Sequence, residues 1–197
     1  WQVPVYAHPL ELPYLTGAQS YPQPDHTVTG GLLAKIADFY PNEPIDITEA
    51  ITTLPENGVV PGLPDWQWVA TPGHSPGQVA FYRANDGVLI AGDAFVTVKQ
   101  DSLYKVLLQK EEVNGPPVYL TTNWEAAFES VKKLQQLLPK IAITGHGQAM
   151  HGDELQQGLL NLVHNFSTIA VPSHGKFVQE NDHHLNQQTN EKDRYSS

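Results

Sequence analysis

Three glycine-rich turns constrain the fold of this chain more than any other feature, because each carries one side chain of the kind that binds metals. Residues 71–77 read Thr-Pro-Gly-His-Ser-Pro-Gly, residues 91–95 read Ala-Gly-Asp-Ala-Phe, and residues 144–147 read Thr-Gly-His-Gly. Each turn lies beside an apolar stretch typical of a β-strand. Three such turns at the ends of separate strands indicate a metal centre built on a sheet.

A β-hairpin between the first two turns brings their candidate ligands together. Residues 78–83 and 88–91 are apolar strand segments on either side of Asn-Asp-Gly at 85–87, a sequence that tolerates the positive φ of a tight hairpin turn. An antiparallel hairpin returns its second strand to the starting end of its first. His74 precedes the first strand and Asp93 follows the second, so both are predicted at the same edge of the sheet.

The rest of the chain predicts a mixture of helices and short strands. Residues 3–7 are β-like, residues 32–39 have a short helical pattern, and the proline-rich residues 41–64 predict an irregular crossing. Residues 66–70 predict a strand that leads into the first turn. Residues 140–144 predict a strand that delivers His146.

Two amphipathic helices are predicted in the second half. The first begins at a capping box from Thr122 to Glu125, ends at Pro139 and buries one apolar face; the second covers residues 153–166. The residues expected on the buried faces are Phe128, Val131, Leu134 and Leu138, then Leu155, Leu159, Leu162 and Phe166.

Composition excludes several classes of function. The chain has 197 residues, a formal net charge of −10 and no cysteine, which excludes disulfides, thiolate zinc sites and a cysteine nucleophile. No cluster of lysine and arginine suits a nucleic-acid backbone, and no run of about 18 apolar residues predicts a membrane span. We therefore expect a cytoplasmic globular protein that acts on a small molecule, with neither nucleic acid nor membrane as partner.

Imidazole and carboxylate ligands suit zinc, iron or manganese, and one aspartate among histidines suits a bridging position between two ions. An ion of this kind makes hydroxide available at neutral pH. The simpler alternatives are that His74 satisfies a turn and that Asp93 caps one. The three turns together favour the metal interpretation.

The three turns resemble the third, fourth and fifth metal motifs of the metallo-β-lactamase superfamily, in the same order and with similar spacing. The resemblance extends to about residue 176, and residues 4–8 and 116–138 are most similar to the glyoxalase-II-like thioesterases and lactonases. It implies an α+β fold, an αββα sandwich of two mixed sheets flanked by helices. Residues 1–176 are expected to form the C-terminal two-thirds of such a domain, and residues 177–197 a polar tail.

The resemblance implies a role for each candidate ligand. His74 would bind the first metal ion, Asp93 would bridge the two ions as the catalytic carboxylate, and His146 would bind the second. The family also uses a His-x-His-x-Asp-His motif, which is expected upstream of residue 1, together with the first N-terminal strands. We therefore expect weak binding of the two divalent ions, most simply zinc, unless another polypeptide supplies further ligands.

The predicted function is metal-dependent hydrolysis of a small ester-like bond, such as a thioester or lactone, by metal-bound hydroxide. The alternative is a non-catalytic scaffold that binds a partner through an open sheet, either as a homodimer or with a complementing N-terminal segment. A nuclease or phosphodiesterase is less favoured because the chain is acidic. Further side chains suit a place near the site, with a structural role as the simpler alternative for each: His8, His151, His164, His174, His183, His184, Tyr104, Tyr119 and Trp124.

Overall fold

The computed structural model describes residues 3–28, 44–98 and 111–185. Its strands and helices, in chain order, are β1 (Val5–Ala7), α1 (Leu12–Leu15), β2 (Ile51–Thr53), β3 (Val59–Val60), β4 (Leu63–Ala70), β5 (Val79–Arg83), β6 (Val88–Gly92), β7 (Val96–Val98), β8 (Glu111–Asn114), α2 (Trp124–Gln136), β9 (Ile141–Thr144), β10 (Met150–His151), α3 (Gly152–His164) and α4 (Phe166–Ile169). Short 3-10 helices cover Pro9–Glu11, Thr48–Ala50 and Glu180–His184.

A six-stranded mixed sheet forms the centre of the molecule, with the strand order β10-β9-β6-β5-β4-β3. The predicted hairpin is present, because β5 and β6 pair antiparallel with Phe81 opposite Ile90. Gly87 in its turn has φ of 71°, a left-handed conformation that glycine adopts without steric cost. β9 then pairs parallel to β6, with Ile143 opposite Ile90, so the third turn follows a strand adjacent to the hairpin.

One face of this sheet is covered by α2 and α3. Side chains alternate between the two faces of a strand, and on the covered face Ala80, Leu89, Ala91 and Ala142 are fully buried. The helices contribute Phe128, Val131 and Leu134 from α2 and Leu155, Leu159 and Leu162 from α3, all of which lie in the same core. Burial of each large apolar side chain contributes about 1.5–3 kcal/mol.

The opposite face carries a row of large apolar side chains that are partly exposed. Trp68, Phe81, Ile90 and Ile143 are successive cross-strand partners on β4, β5, β6 and β9, so they share this face. Ile90 is 38% exposed and Ile143 44% exposed. We call these four residues the open-face row. The two smaller sheets pair β1 with β2 and β7 with β8.

The predicted start and end of the first amphipathic helix need correction. The helix cap is Asn123, whose side chain accepts a hydrogen bond from the amide of Ala126, and not Thr122. Thr122 instead donates its amide and hydroxyl to the carbonyl of Gly73. Leu138 is 62% exposed and has φ of 50°, because it lies past the helix end in a left-handed conformation that turns its side chain away from the core.

The first nine residues of the segment predicted as a polar tail contact the domain. Residues 177–185 include the 3-10 helix Glu180–His184, and Leu185 is only 4% exposed within the main core. The predictions for residues 32–39, Tyr104 and residues 186–197 lie outside the described residues. In the described ranges, no helix is long and apolar enough to cross a membrane.

Candidate metal centre

The three candidate ligands meet at one edge of the central sheet. His74 lies in the loop between β4 and β5, Asp93 follows β6, and His146 follows β9. The Nε2 atom of His74 is 3.6 Å from Oδ2 of Asp93, and the Nε2 atom of His146 is 3.7 Å from Oδ1 of Asp93. One carboxylate therefore faces two imidazole rings, one with each oxygen.

One carboxylate oxygen of Asp93 lies in surroundings that would favour a bound cation. The Oδ1 atom is buried and has no hydrogen-bond partner among the described residues, and a buried carboxylate oxygen without a partner is unfavourable. Gly145 allows this close approach, because a Cβ at that position would lie 2.3 Å from Asp93 Oδ1. The sequence-predicted glycine beside His146 thus keeps space next to the carboxylate.

His74 is held in one tautomer by Thr121. Nδ1 of His74 lies 3.3 Å from Oγ1 of Thr121, and the hydroxyl of Thr121 donates its single proton to the carbonyl of Pro117 at 2.8 Å. Thr121 can therefore only accept from His74, which places the imidazole proton on Nδ1. The lone pair on Nε2 then points toward Asp93, as a metal-binding imidazole requires.

The contact between His74 and Asp93 is not an ordinary ion pair. Burial lowers the pKa of His74, although the charges of Asp93 and Glu11 act in the opposite direction. The side chain of His74 is 15% exposed. A neutral imidazole presents its lone pair to a carboxylate oxygen, and a cation between these two acceptors would stabilise them.

His146 is supported through its backbone. Its carbonyl accepts hydrogen bonds from the amide of Thr97 at 3.1 Å and the hydroxyl of Thr144 at 2.8 Å. The hydroxyl of Thr97 also donates to the carbonyl of Gln148 at 2.6 Å. The side chain of His146 is 47% exposed, so the solvent side of the centre lies here.

Sequence reasoning missed two residues that support the turns. Glu11 is buried and accepts hydrogen bonds from the hydroxyl of Ser75 and the amide of Gly77. With its amide oriented to satisfy the network, the side-chain oxygen of Gln78 accepts from the amides of Asp93 and Ala94. The only signal for Glu11 in the sequence is one acidic residue between two leucines.

The spacing of the three ligands fits divalent ions. Two atoms that each lie about 2.0–2.2 Å from one tetrahedral zinc ion are separated by roughly 3.4 Å, close to the separations of 3.6 and 3.7 Å. The residues in ranges 3–28, 44–98 and 111–185 contain no group of three or more acidic or histidine side chains arranged around a single ion. The ligands therefore form two pairs that share Asp93.

The other histidines weighed from the sequence have structural contacts or exposed positions. His8 accepts a hydrogen bond from the amide of Leu10 and packs edge-on against Trp68. His164 contacts the carbonyl of Leu160 at the end of α3. The remaining ones are exposed at the end of β10, in a turn or in the last 3-10 helix: His151, His174, His183 and His184.

Tyr119 and Trp124, two of the three aromatic residues considered as substrate contacts, are packed inside the protein. Tyr119 is 7% exposed and Trp124 is 2% exposed, and Trp124 belongs to the main core. Packing, the simpler interpretation of these two side chains, therefore accounts for their positions.

Residues 1–146 of the sequence match a family model described as the metallo-β-lactamase superfamily. The chain belongs to this superfamily. The resemblance carried by the three turns is thereby confirmed, and the chain is a member of a superfamily of metal-dependent hydrolases.

A relative in Bacillus subtilis supports the same assignment. The chain is 44% identical over 169 residues to a protein named probable metallo-hydrolase YflN, a match that covers 86% of this chain and 64% of YflN. The chain thus spans about two thirds of the length of this relative.

Two solved structures are similar to this chain. ST1585 from Sulfolobus tokodaii matches 97% of this chain and 68% of its own chain with a TM-score of 0.53 and 15% sequence identity. TTHA1623, solved in a di-iron-bound form, matches 75% of this chain and 59% of its own chain with a TM-score of 0.46 and 29% identity. The α+β sandwich fold predicted from the resemblance is confirmed by the family match and the first of these structures.

Proposed function

We propose that His74, Asp93 and His146 bind two divalent metal ions, with Asp93 as the bridging ligand, and that the activity served by this centre is hydrolysis of a small ester-like bond. The single observation that carries the proposal is the Asp93 carboxylate, whose two oxygens face two different imidazole Nε2 atoms at 3.6 and 3.7 Å. Oδ1 of this carboxylate is buried and lacks a hydrogen-bond partner among the described residues.

The residues of the centre divide the work between them. A divalent ion held by these residues would lower the pKa of a bound water and polarise the carbonyl oxygen of the substrate. Thr121 keeps the proton of His74 on Nδ1, so Nε2 is free to bind. Gly145 leaves the space beside Asp93 Oδ1, and the half-exposed ring of His146 gives a small molecule access from solvent.

The substrate class follows from charge and from the resemblance to thioesterases and lactonases. A formal net charge of −10 disfavours a polyanion such as nucleic acid. An uncharged thioester or lactone carbonyl has no such repulsion. We therefore place small thioesters and lactones ahead of phosphodiesters.

The test is metal content per chain after gel filtration, measured by elemental analysis in the presence of added zinc, iron or manganese. Asp93→Ala is expected to abolish binding of both ions, because Asp93 contacts both histidines. The exposed Asp65 provides the matched control, and Asp65→Ala should keep the wild-type content. Equal metal content in Asp93→Ala and wild type would contradict the bridging role. Thioester and lactone hydrolysis by the metal-loaded protein then tests the reaction.

A second candidate function is binding of another polypeptide through the open-face row. Four adjacent large apolar side chains with exposures up to 44% form a surface suited to burial. The occupant that we favour is a segment equivalent to the part of YflN outside the matched region, since the match covers 64% of that relative. Such a segment could also contribute further ligands.

Mixing the chain with that part of YflN and measuring sedimentation tests this candidate. A one-to-one complex with increased zinc content is the expected result. The substitution Ile90→Asp should weaken the complex, whereas Val59→Asp on the edge strand β3 serves as a control at a similarly exposed valine. Absence of a complex, or formation of a homodimer alone, would reject this occupant.

A further inference from the structure

Glu11 places a buried carboxylate behind the turn that carries His74. Glu11 is 9% exposed. Its Oε1 atom accepts hydrogen bonds from the hydroxyl of Ser75 at 2.8 Å and from the amide of Gly77 at 2.7 Å. A buried carboxylate with charge-assisted hydrogen bonds fixes the groups that donate to it. Ser75 and Gly77 are 64 and 66 residues away in sequence, so this contact links distant parts of the chain.

The other oxygen of Glu11 is also satisfied. Oε2 accepts a hydrogen bond from the hydroxyl of Tyr21. Burial, and the adjacent Glu11 carboxylate, raise the pKa of Tyr21, so its hydroxyl keeps its proton. The ring of Tyr21 stacks on Tyr14, with centroids 4.1 Å apart, and this contact restricts the position of the hydroxyl.

The two residues bound by Oε1 connect Glu11 to both His74 and Asp93. Ser75 follows His74 directly, and its carbonyl accepts hydrogen bonds from the amides of Gly73 and Gln78. Gly77 precedes Gln78, whose side-chain oxygen accepts from the amide of Asp93. The Glu11 carboxylate is therefore connected to His74 on one side and to Asp93 on the other.

We propose that Glu11 is a positioning residue that sets the relative placement of His74 and Asp93 by holding Ser75 and Gly77 on a single carboxylate oxygen. The proposal rests on the assignment of His74 and Asp93 as metal ligands. Glu11 acts on the two candidate ligands indirectly, through its hydrogen bonds to Ser75 and Gly77.

Close packing at Gly77 shows how tightly the carboxylate is seated. A Cβ on Gly77 would lie 2.6 Å from Cγ of Glu11 and 2.8 Å from its Oε1 atom. The glycine of the sequence motif thus makes room for Glu11, in addition to allowing the turn. This relationship joins a residue outside the motif to one inside it.

The experiment compares Glu11→Ala with Glu11→Gln in metal-free protein. Glutamine keeps an oxygen for Ser75 and Gly77, and its amide can donate to Tyr21. Histidine ¹H–¹⁵N spectra report the tautomer of His74, and the backbone amide shifts of Asp93 and Ala94 report the contact with Gln78. Glu11→Ala is expected to lose the single Nδ1–H tautomer of His74 and to shift both amides, whereas Glu11→Gln should retain the wild-type pattern.

The outcomes separate positioning from other roles. Wild-type signals in Glu11→Ala would overturn the proposal, and so would loss of the pattern in Glu11→Gln, which would assign the effect to charge. The exposed Glu56 provides the control variant Glu56→Ala, with no expected change. Where Glu11→Ala fails to fold, Ser75→Ala removes one hydrogen bond at Oε1. It is expected to broaden the His74 signals, and unchanged signals would again overturn the proposal.

Failure of this proposal can be distinguished from failure of the proposed function. The tautomer and amide signals are measured without metal, so they test the support of the two turns directly. Absence of metal binding by the wild-type chain would remove the proposed function but would leave the positioning result intact.

Discussion

The two histidines on either side of Asp93 are held in different ways. The ring of His74 is 15% exposed and contacts Thr121 through Nδ1, and its turn is fixed by Glu11. The ring of His146 is 47% exposed, and the hydrogen bonds of its turn go to the backbone carbonyl. The imidazole ring of His74 is therefore held in place before metal binds, whereas at His146 only the backbone is held and the ring is not.

This difference predicts unequal metal binding by the two sides. A ligand whose tautomer and orientation are already fixed loses little conformational freedom on binding. We expect the first equivalent of metal to occupy the His74 side. The following variants are designed to break or sharpen that comparison, in order of decreasing effect.

Gly145→Ala should affect both sides at once. An added Cβ would lie 2.3 Å from Asp93 Oδ1, so the carboxylate must move away from both histidines. Metal affinity is expected to fall about 100-fold, the upper end of the effect of contacts around a metal site. Competition with a chromophoric chelator measures the affinity. Gly62→Ala, where a Cβ meets nothing within 4 Å but φ of 79° strains a side chain, is the control for loss of a glycine away from the centre; equal losses of metal affinity in both variants would argue against a steric effect at Asp93.

Thr121→Val should weaken the His74 side selectively. Valine cannot accept the proton of Nδ1, so the tautomer of His74 is no longer fixed, and the carbonyl of Pro117 loses a donor. The affinity for the first metal equivalent is expected to fall about 10-fold or more. Isothermal titration with zinc resolves the two equivalents. The exposed Thr53 gives the control Thr53→Val, and an unchanged first equivalent in Thr121→Val would contradict the tautomer argument.

Thr97→Val should destabilise the His146 turn with a smaller effect on metal. The valine removes the hydroxyl that donates to the carbonyl of Gln148, while the amide of residue 97 still donates to the carbonyl of His146. Loss of this partly buried hydrogen bond is expected to lower the free energy of unfolding by about 0.5–1.5 kcal/mol, as measured by urea denaturation. A larger loss of metal affinity than in Thr121→Val would reverse the comparison between the two sides.

Asp25 should give the whole protein a small dependence of stability on pH, outside the metal centre. Burial raises the pKa of Asp25, but hydrogen bonds from Thr27 and from the amides of Lys176 and Phe177 together hold it below its ordinary value of 3.8. The folded state therefore favours the charged carboxylate, and its stabilisation is present above pH 3.8 and decreases as the pH falls below that value. Unfolding of wild type and Asp25→Asn between pH 2.5 and about 6 should show a difference that shrinks in acid. A constant difference would reject this role.

The sequence predicted features of the site that depend on local chemistry. Strand alternation and the Asp-Gly turn were enough to place His74 and Asp93 at one edge, because hairpin geometry needs only neighbouring residues. Gly145 beside His146 was recognised as a turn residue for the same reason. The fold class followed from the resemblance of these turns to family motifs.

Features that depend on distant contacts could not be predicted in this way. Thr121 lies 47 residues from His74, and Glu11 lies 66 residues from Gly77, so no local pattern joins them. The error at Leu138 has a different cause. The spacing of Leu138 continues the helical pattern of apolar residues. However, α2 ends at Gln136, and the left-handed backbone of Leu138 turns its side chain away from the core.

The open-face row also has a consequence for how separate copies of the chain behave in salt. Each copy carries a formal charge of −10, and this charge keeps like molecules apart at low ionic strength. Added salt screens the repulsion over about 8 Å at 0.15 M, while exposed Ile90 and Ile143 keep their tendency to leave water. Self-association of the isolated chain should therefore increase with ionic strength, the reverse of the behaviour of a protein held together by ion pairs.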